Sequence, residues 1–287
     1  MNLLIRGAHI LDPKTKKDGV QDLLIQNGKI AQIGKSLAAE GAEVIEAAGL
    51  HLMPGFVDLH THFREPGFES KETIQTGSRA AIKGGFVASV SMPNTRPPCD
   101  HQGVIDNIIR KAKEVPYHLF PAGTISKGRE GKELSEMADL KQAGIVAVTD
   151  DGDWVADSLL MRRALEYASM LDLIVMSHCE EKRLSGNGVM NEGLTSTKMG
   201  LRGIPAASEV VAVSRELAVT WIVCWLSVTL LAGGAVLWRA RQRRHRRGLA
   251  TWWIAPLSLV TTCTLLVFWL WVILCTLAGI IRVPAAP

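Results

Sequence analysis

Five short apolar segments alternate with four amphipathic segments between residues 53 and 177, and this alternation constrains the fold more than any other feature. The apolar segments predict β-strands at Met53–Leu59, Phe86–Met92, His118–Ala122, Ile145–Thr149 and Leu173–Ser177. The amphipathic segments predict helices at Ser70–Lys83, Gly103–Glu114, Leu134–Ala143 and Ser158–Leu171. Strands that alternate with helices indicate an α/β fold with a parallel sheet. A spacing of about 30 residues between strands favours a (β/α)8 TIM barrel. Because only about five of its eight strands are found before residue 220, we expect an incomplete barrel.

Residues 1–52 follow a different pattern, in which short strand-like runs are separated by turn residues. These runs are Leu3–Ile5, Asp22–Gln26, Lys29–Ile33 and Glu43–Glu46. The pair Asn27-Gly28 between two apolar runs predicts a tight hairpin. We therefore expect three parts. They are a small N-terminal β module at 1–52, the first part of the (β/α) barrel at 53–219 and an anomalous C-terminal tail at 220–287.

Polar side chains follow the carboxyl ends of the predicted strands. They are His60, His62, Asn94, Asp150, Asp151 and His178. Residues i and i+2 of a strand point to the same face, so His60 and His62 are expected to aim two imidazoles at one point. Imidazole is a common zinc ligand. A histidine after an apolar strand is more often a core residue, but the strand-end position that His178 shares with the others favours a ligand. Because barrel active sites lie at this end of the strands, the sequence predicts a metal site there.

Four motifs that contain these residues, in this order, resemble those of dihydroorotases in the amidohydrolase superfamily. The motifs are His60–Gly67, Met92–Thr95, Thr149–Gly152 and His178–Glu180. A further match is Gly203-Ile204-Pro205 followed by Glu209. The resemblance extends from residue 1 to about residue 219.

The resemblance implies a site for two zinc ions and a small acidic substrate. His60 and His62 would hold one zinc, Asp151 would bridge both, and His178 would bind the second. Arg64 and Asn94 would grip the substrate carboxylate, for which the planar fork of an arginine is well suited. The implied reaction is the reversible hydrolysis of dihydroorotate to N-carbamoyl-L-aspartate in cytoplasmic pyrimidine biosynthesis.

Two alternatives concern the bridging position. Hydantoinases and allantoinases are similar in the His-x-His stretch but usually bridge their metals with a carboxylated lysine, whereas this chain has an aspartate there. The residues alone do not distinguish Asp151 from Asp150, which could instead cap the following turn. The family motif favours Asp151. An allantoinase-like or hydantoinase-like cyclic amidohydrolase remains an alternative function.

Charge and cysteine usage describe an ordinary protein body up to residue 220. The seven arginines of residues 221–287 account for the overall charge of +4, and the remaining residues carry 25 basic and 28 acidic side chains. This balance gives no indication of nucleic-acid binding. The five cysteines form no Cys-x-x-Cys pair, and the N-terminus lacks the apolar core of a signal peptide. We expect a cytoplasmic protein with a small-molecule substrate, and a homo-oligomer is compatible with the sequence.

The segment after residue 220 has a different composition. It contains seven of the eight tryptophans and no Lys, Asp or Glu, with uncharged stretches at Trp221–Trp238 and Leu249–Ile281. Stretches of this length could form a transmembrane hairpin, because about 20 apolar residues span a bilayer. The arginines between them would then remain in the cytoplasm and place the preceding enzyme-like residues outside. Our preferred interpretation is therefore a shifted reading frame or a fusion from about residue 219.

The family pattern stops before the site is complete. Another zinc-binding histidine is expected near Leu231 and a general acid/base aspartate later, but the tail offers only His245 among arginines and no acidic residue. Neighbouring cations oppose Zn²⁺ binding, so His245 is a poor ligand. The catalytic acid/base thus remains unassigned, and we expect little or no turnover. A non-catalytic homologue that serves as partner or scaffold for another pyrimidine-pathway enzyme is the alternative.

Overall fold

The computed structural model describes residues 2–38 and 40–224. The two interpretations of the tail concern residues 220–287, of which 225–287 lie outside the described residues. Within the described part, no helix combines the length and the apolar character that are needed to cross a membrane.

The N-terminal residues form a five-stranded sheet. Its strands are β1 (Leu3–Asp12), β2 (Lys17–Gln26), β3 (Lys29–Gly34), β4 (Glu43–Glu46) and β5 (His51–Leu52). The order is β3-β2-β1-β4, and β5 also pairs with β1. Asn27 and Gly28 join the antiparallel strands β2 and β3 with φ of 52° and 73°. Positive φ at both turn residues is what a two-residue hairpin requires, so the predicted hairpin is confirmed.

The next part alternates strands and helices and forms one parallel sheet. The strands are β6 (Phe56–Thr61), β7 (Phe86–Ser91), β8 (His118–Gly123), β9 (Ala147–Val148) and β10 (Ile174–Val175). The intervening helices are α1 (Ile74–Lys83), α2 (Gln102–Ala112), α3 (Met137–Ala143) and α4 (Ser158–Met170). Each strand pairs in parallel with the next, in the order β10-β9-β8-β7-β6. This is the predicted half of a (β/α)8 barrel.

Local hydrogen bonds explain where the observed elements are shorter than the prediction. Helix α1 begins at Ile74 rather than Ser70 because Thr73 caps it, accepting from the Thr76 amide. Strand β9 has two residues instead of five, although the Thr149 amide still donates to the Gly123 carbonyl. Thr149 is thus held against β8, immediately before the two aspartates.

Two apolar clusters lie on opposite sides of the parallel sheet. The larger one packs the helices against the sheet and includes Ile105, Leu119, Leu140 and Val148. The smaller one comprises Val90, Met92, Ala122 and Ala147. Since alternate strand residues point to opposite faces, the smaller cluster marks the concave face of the half-barrel.

The described chain ends with short elements and a longer helix. They are α5 (Lys182–Ser185), β11 (Met190–Asn191), α6 (Leu194–Met199), β12 (Gly203–Ile204) and helix α7, which covers 207–224. Glu216 on α7 accepts hydrogen bonds from the Trp154 indole and the Ser177 hydroxyl, each at 2.8 Å. These bonds fix α7 to the loops that follow β9 and β10. The division of the chain at residues 52 and 219 stays a prediction.

Candidate metal centre

Asp151 is the hub of the polar cluster at the carboxyl ends of the strands. Its Oδ1 lies 3.1 Å from His60 Nε2, and its Oδ2 lies 3.5 Å from His62 Nε2. One ligand atom from each of the three residues lies within 4.8 Å of the other two. His60 belongs to β6 and His62 follows it, so the i, i+2 spacing brings both rings to one carboxylate, as the strand argument predicts.

His178 approaches the same carboxylate after β10. Its Nδ1 lies 3.4 Å from Asp151 Oδ1. It is not part of the three-residue group defined above. The structure therefore brings together all four residues that the sequence predicts as ligands, with three imidazoles around one nearly buried carboxylate.

The distances fit a zinc ion shared between neighbouring ligands. Zinc lies about 2.0–2.1 Å from nitrogen and oxygen ligands, so two tetrahedral ligands are about 3.3–3.4 Å apart. The three imidazole-to-carboxylate distances of 3.1, 3.4 and 3.5 Å bracket this value. The donor set of imidazole and carboxylate is also one that zinc accepts. These residues thus fit the metal that the family resemblance implies.

Asn94 connects two of these residues. Its Oδ1 lies 3.0 Å from His62 Nδ1, and its Nδ2 donates to Asp151 Oδ2 at 3.1 Å. A hydrogen bond to the second ring nitrogen fixes the tautomer and orientation of a ligating histidine. The sequence prediction gave Asn94 only a substrate-binding role. Its contacts add the orientation of His62 and Asp151.

The structure separates the roles of the two neighbouring aspartates. Asp150 is 2 % exposed, and its carboxylate accepts hydrogen bonds from the loop after β8. Its Oδ1 accepts from the amides of Ile125 and Ser126 at 2.8 and 3.0 Å, and its Oδ2 accepts from the Ser126 hydroxyl. Burial raises the pKa of the Asp150 carboxyl, and the hydrogen bonds from Ser126 and Ile125 oppose that shift. Asp150 therefore holds the loop after β8 rather than the turn that follows its own strand.

Arg64 follows the ligand pair in a constrained loop. Its φ is 62°, in the left-handed region, and its side chain is partly buried. Within the described part of the chain, no carboxylate pairs with its guanidinium. Gly67, with φ of 97°, approaches Arg96 so closely that a Cβ would lie 2.2 Å from the Arg96 carbonyl oxygen. The loop thus holds a cation two residues after His62.

Two carboxylates near the ligands have contacts that the sequence analysis did not predict. Glu180 Oε2 lies 3.3 Å from His178 Nε2 and 2.7 Å from the Lys182 ammonium. The bond from Lys182 is the main cause that lowers the pKa of Glu180 to about 2. Glu65 is buried, accepts from the Ile74 amide at 2.7 Å and pairs with Lys111. Glu180 lies two residues after the candidate ligand His178, and this short spacing is the sequence signal that could have indicated its contact. The partners of Glu65 lie 9 and 46 residues away in the chain, and no local pattern predicts them.

Comparison with known proteins decides the family. The sequence pattern of the family described as Dihydro-orotase-like matches residues 49–224. The chain belongs to this family. It is 50% identical over 216 residues to a dihydroorotase of Acetivibrio thermocellus, a match that covers 75% of this chain and 51% of the relative. It is 52% identical over 218 residues to a dihydroorotase of Geobacter sulfurreducens, a match that covers 75% of this chain and 51% of that relative.

Solved structures agree on the fold. An L-hydantoinase from Arthrobacter aurescens superposes with a TM-score of 0.62 at 17% identity, over 77% of this chain and 51% of its own. A D-hydantoinase superposes with a TM-score of 0.57 at 22% identity, over 78% of this chain and 50% of its own. At these identities the likeness concerns the fold alone. The chain spans about half the length of the curated relatives it matches.

Proposed function

We propose that this chain carries the first half of a dihydroorotase site. It would bind zinc through His60, His62, Asp151 and His178 and would recognise dihydroorotate or N-carbamoyl-L-aspartate. The observation that carries this proposal is the convergence of three imidazoles on Asp151 at zinc-ligand spacing. Half-identical dihydroorotases supply the substrate class.

Each residue has a role that follows from its contacts. Asp151 would offer a carboxylate oxygen to zinc on each side, since each of its two oxygens faces an imidazole. Asn94 would hold His62 and Asp151 in place, and its amide could also meet the substrate. Arg64, which has no carboxylate partner among the described residues, would pair with the substrate carboxylate. Zinc in such a site supplies a nucleophile at neutral pH, because it lowers the pKa of water to about 7.

We propose that the chain alone turns over little or no substrate. The last described strand of the barrel is β10, and the sequence after it offers no acidic residue from 221 onwards to serve as acid/base. That feature also favours the second candidate, a non-catalytic homologue that supports another pyrimidine-pathway enzyme. A cytoplasmic location fits either candidate.

The test is zinc and ligand binding by the purified chain. We expect bound zinc that disappears in Asp151→Ala, together with zinc-dependent binding of N-carbamoyl-L-aspartate that Arg64→Met weakens. A chain without zinc would refute the metal site. Robust hydrolysis of dihydroorotate by the isolated chain would refute the proposed inactivity and exclude the non-catalytic candidate.

A further inference from the structure

The concave face of the half-barrel is apolar and open. Phe120 pairs in register with Val90, and Ile174 pairs with Ala147. Residues paired across parallel strands point to the same face, so all four belong to the side of the smaller apolar cluster. Val90 and Ala147 are buried there, but Phe120 and Ile174 are 43% and 68% exposed. This face therefore lacks part of its packing among the described residues.

The two edges of the same sheet are open as well. Strands β6 and β10 lie at its ends, and in the described part of the chain neither pairs with a further strand. Leu59 on β6 is 65% exposed. A closed barrel has no edge strands, and an uncovered apolar edge is a site for pairing with another chain. The open edges and the open concave face form one continuous surface, here called the barrel seam.

The family comparison indicates what fits the barrel seam. A closed barrel needs eight strands, and five are described here. The dihydroorotases that share half of their residues with this chain contain about as much chain again outside the matched part. A complement of that size can provide three strand–helix units, which would pair with β6 and β10 and cover Phe120 and Ile174.

We propose that the barrel seam docks a second polypeptide that carries the complementary half of a dihydroorotase barrel. Its strands would extend the sheet in parallel at β6 and β10, and its inner side chains would be apolar opposite Phe120 and Ile174. It would also bring the histidine and the acidic residue that the site needs. The gain of hydrolysis in the complex rests on the proposed function. The docking itself does not, because it depends only on the apolar barrel seam.

The experiment is complementation in trans. The full 287-residue chain is co-expressed with the tagged part of the Acetivibrio thermocellus dihydroorotase that lies outside the match. We expect a 1:1 complex by size-exclusion chromatography with light scattering. Hydrolysis of dihydroorotate should rise about 100-fold over the chain alone, the lower end of what a positioned acid or base contributes.

Matched variants assign the contact to the barrel seam. Leu59→Glu and Ile174→Glu should abolish capture, because each places a charge in the closing interface. Val20→Glu is the control, because Val20 is similarly exposed, at 59%, on the N-terminal sheet. All three positions are solvent-exposed in the structure, so melting temperatures should stay close to that of the parent chain, which separates lost docking from lost folding.

Several outcomes would overturn the inference. In the first, Ile174→Glu captures the complementary half as well as the parent chain does. In the second, this chain forms a dimer with itself that Ile174→Glu dissociates. In the third, cross-links place residues 225–287 on the barrel seam. Asp151→Ala separates this inference from the proposed function, because it should still be captured but should bind no zinc. Zinc binding without capture would sink the docking proposal alone, and capture without zinc binding would sink the proposed function alone.

Discussion

Replacing Asp150 by alanine should destabilise the fold, although the residue next to it is the one that faces the metal site. Asp150 is buried and accepts hydrogen bonds from the backbone amides of Ile125 and Ser126. These two residues are also buried, at 1% and 0% exposure. A buried N–H without an acceptor costs about 1–3 kcal/mol, so two of them give a loss of about 2–6 kcal/mol in the free energy of unfolding. The measurement is urea unfolding with a chelator present.

Two matched variants sharpen this prediction. Asp150→Asn keeps an acceptor for both amides. Burial of the charged carboxylate raises the pKa of Asp150, and a neutral amide avoids that cost of burying a charge, so Asp150→Asn should lose less than about 2 kcal/mol. Asp151→Ala should also lose less than Asp150→Ala, because no backbone amide depends on it, yet it should abolish zinc binding. Equal stability of Asp150→Ala and Asp151→Ala would refute the separation of roles.

Three further predictions concern Asn94, the loop that contains Arg64 and Gly67, and a buried thiol. Asn94→Leu should weaken zinc binding about 10–100-fold in chelator competition, as loss of a ligand-orienting contact does, whereas the exposed His118→Ala should not. Gly67→Ala should lower the melting temperature more than Gly28→Ala. Both glycines have positive φ, but an added Cβ would clash with Arg96 at Gly67 and would meet open space at Gly28. Burial raises the pKa of Cys99 to about 11, so about one thiol in a thousand is ionised at pH 8; alkylation of the native chain at that pH should spare Cys99, and alkylation in urea should modify it.

The parallel half-barrel could be predicted because its signal is local. Apolar runs such as Phe86–Ser91 and helices such as Ser158–Met170 carry their periodicity in the sequence itself. Element ends were less accurate where a tertiary contact decides them. Helix α1 begins four residues later than predicted, where the buried Glu65 carboxylate and the Thr73 cap meet its first amides.

The candidate site also has one part that local sequence predicts and another that depends on long-range contacts. The spacing of His60 and His62 on one strand predicts that their rings converge, and they do. The choice between Asp150 and Asp151 could not be made from spacing, because it depends on which carboxylate meets the loop after β8. The contacts of Asn94 with His62 and Asp151 are likewise long-range, and no local pattern predicts them.

The zinc content of the purified 287-residue chain tests the central claim most directly. The chain is loaded with zinc, desalted and measured by mass spectrometry of the metal, beside Asp151→Ala and Asp150→Asn. We expect zinc to remain bound in the parent chain and in Asp150→Asn and to be absent from Asp151→Ala. Equal zinc content in the parent chain and Asp151→Ala, whether high or zero, would contradict the assignment of Asp151 as the hub of the metal centre.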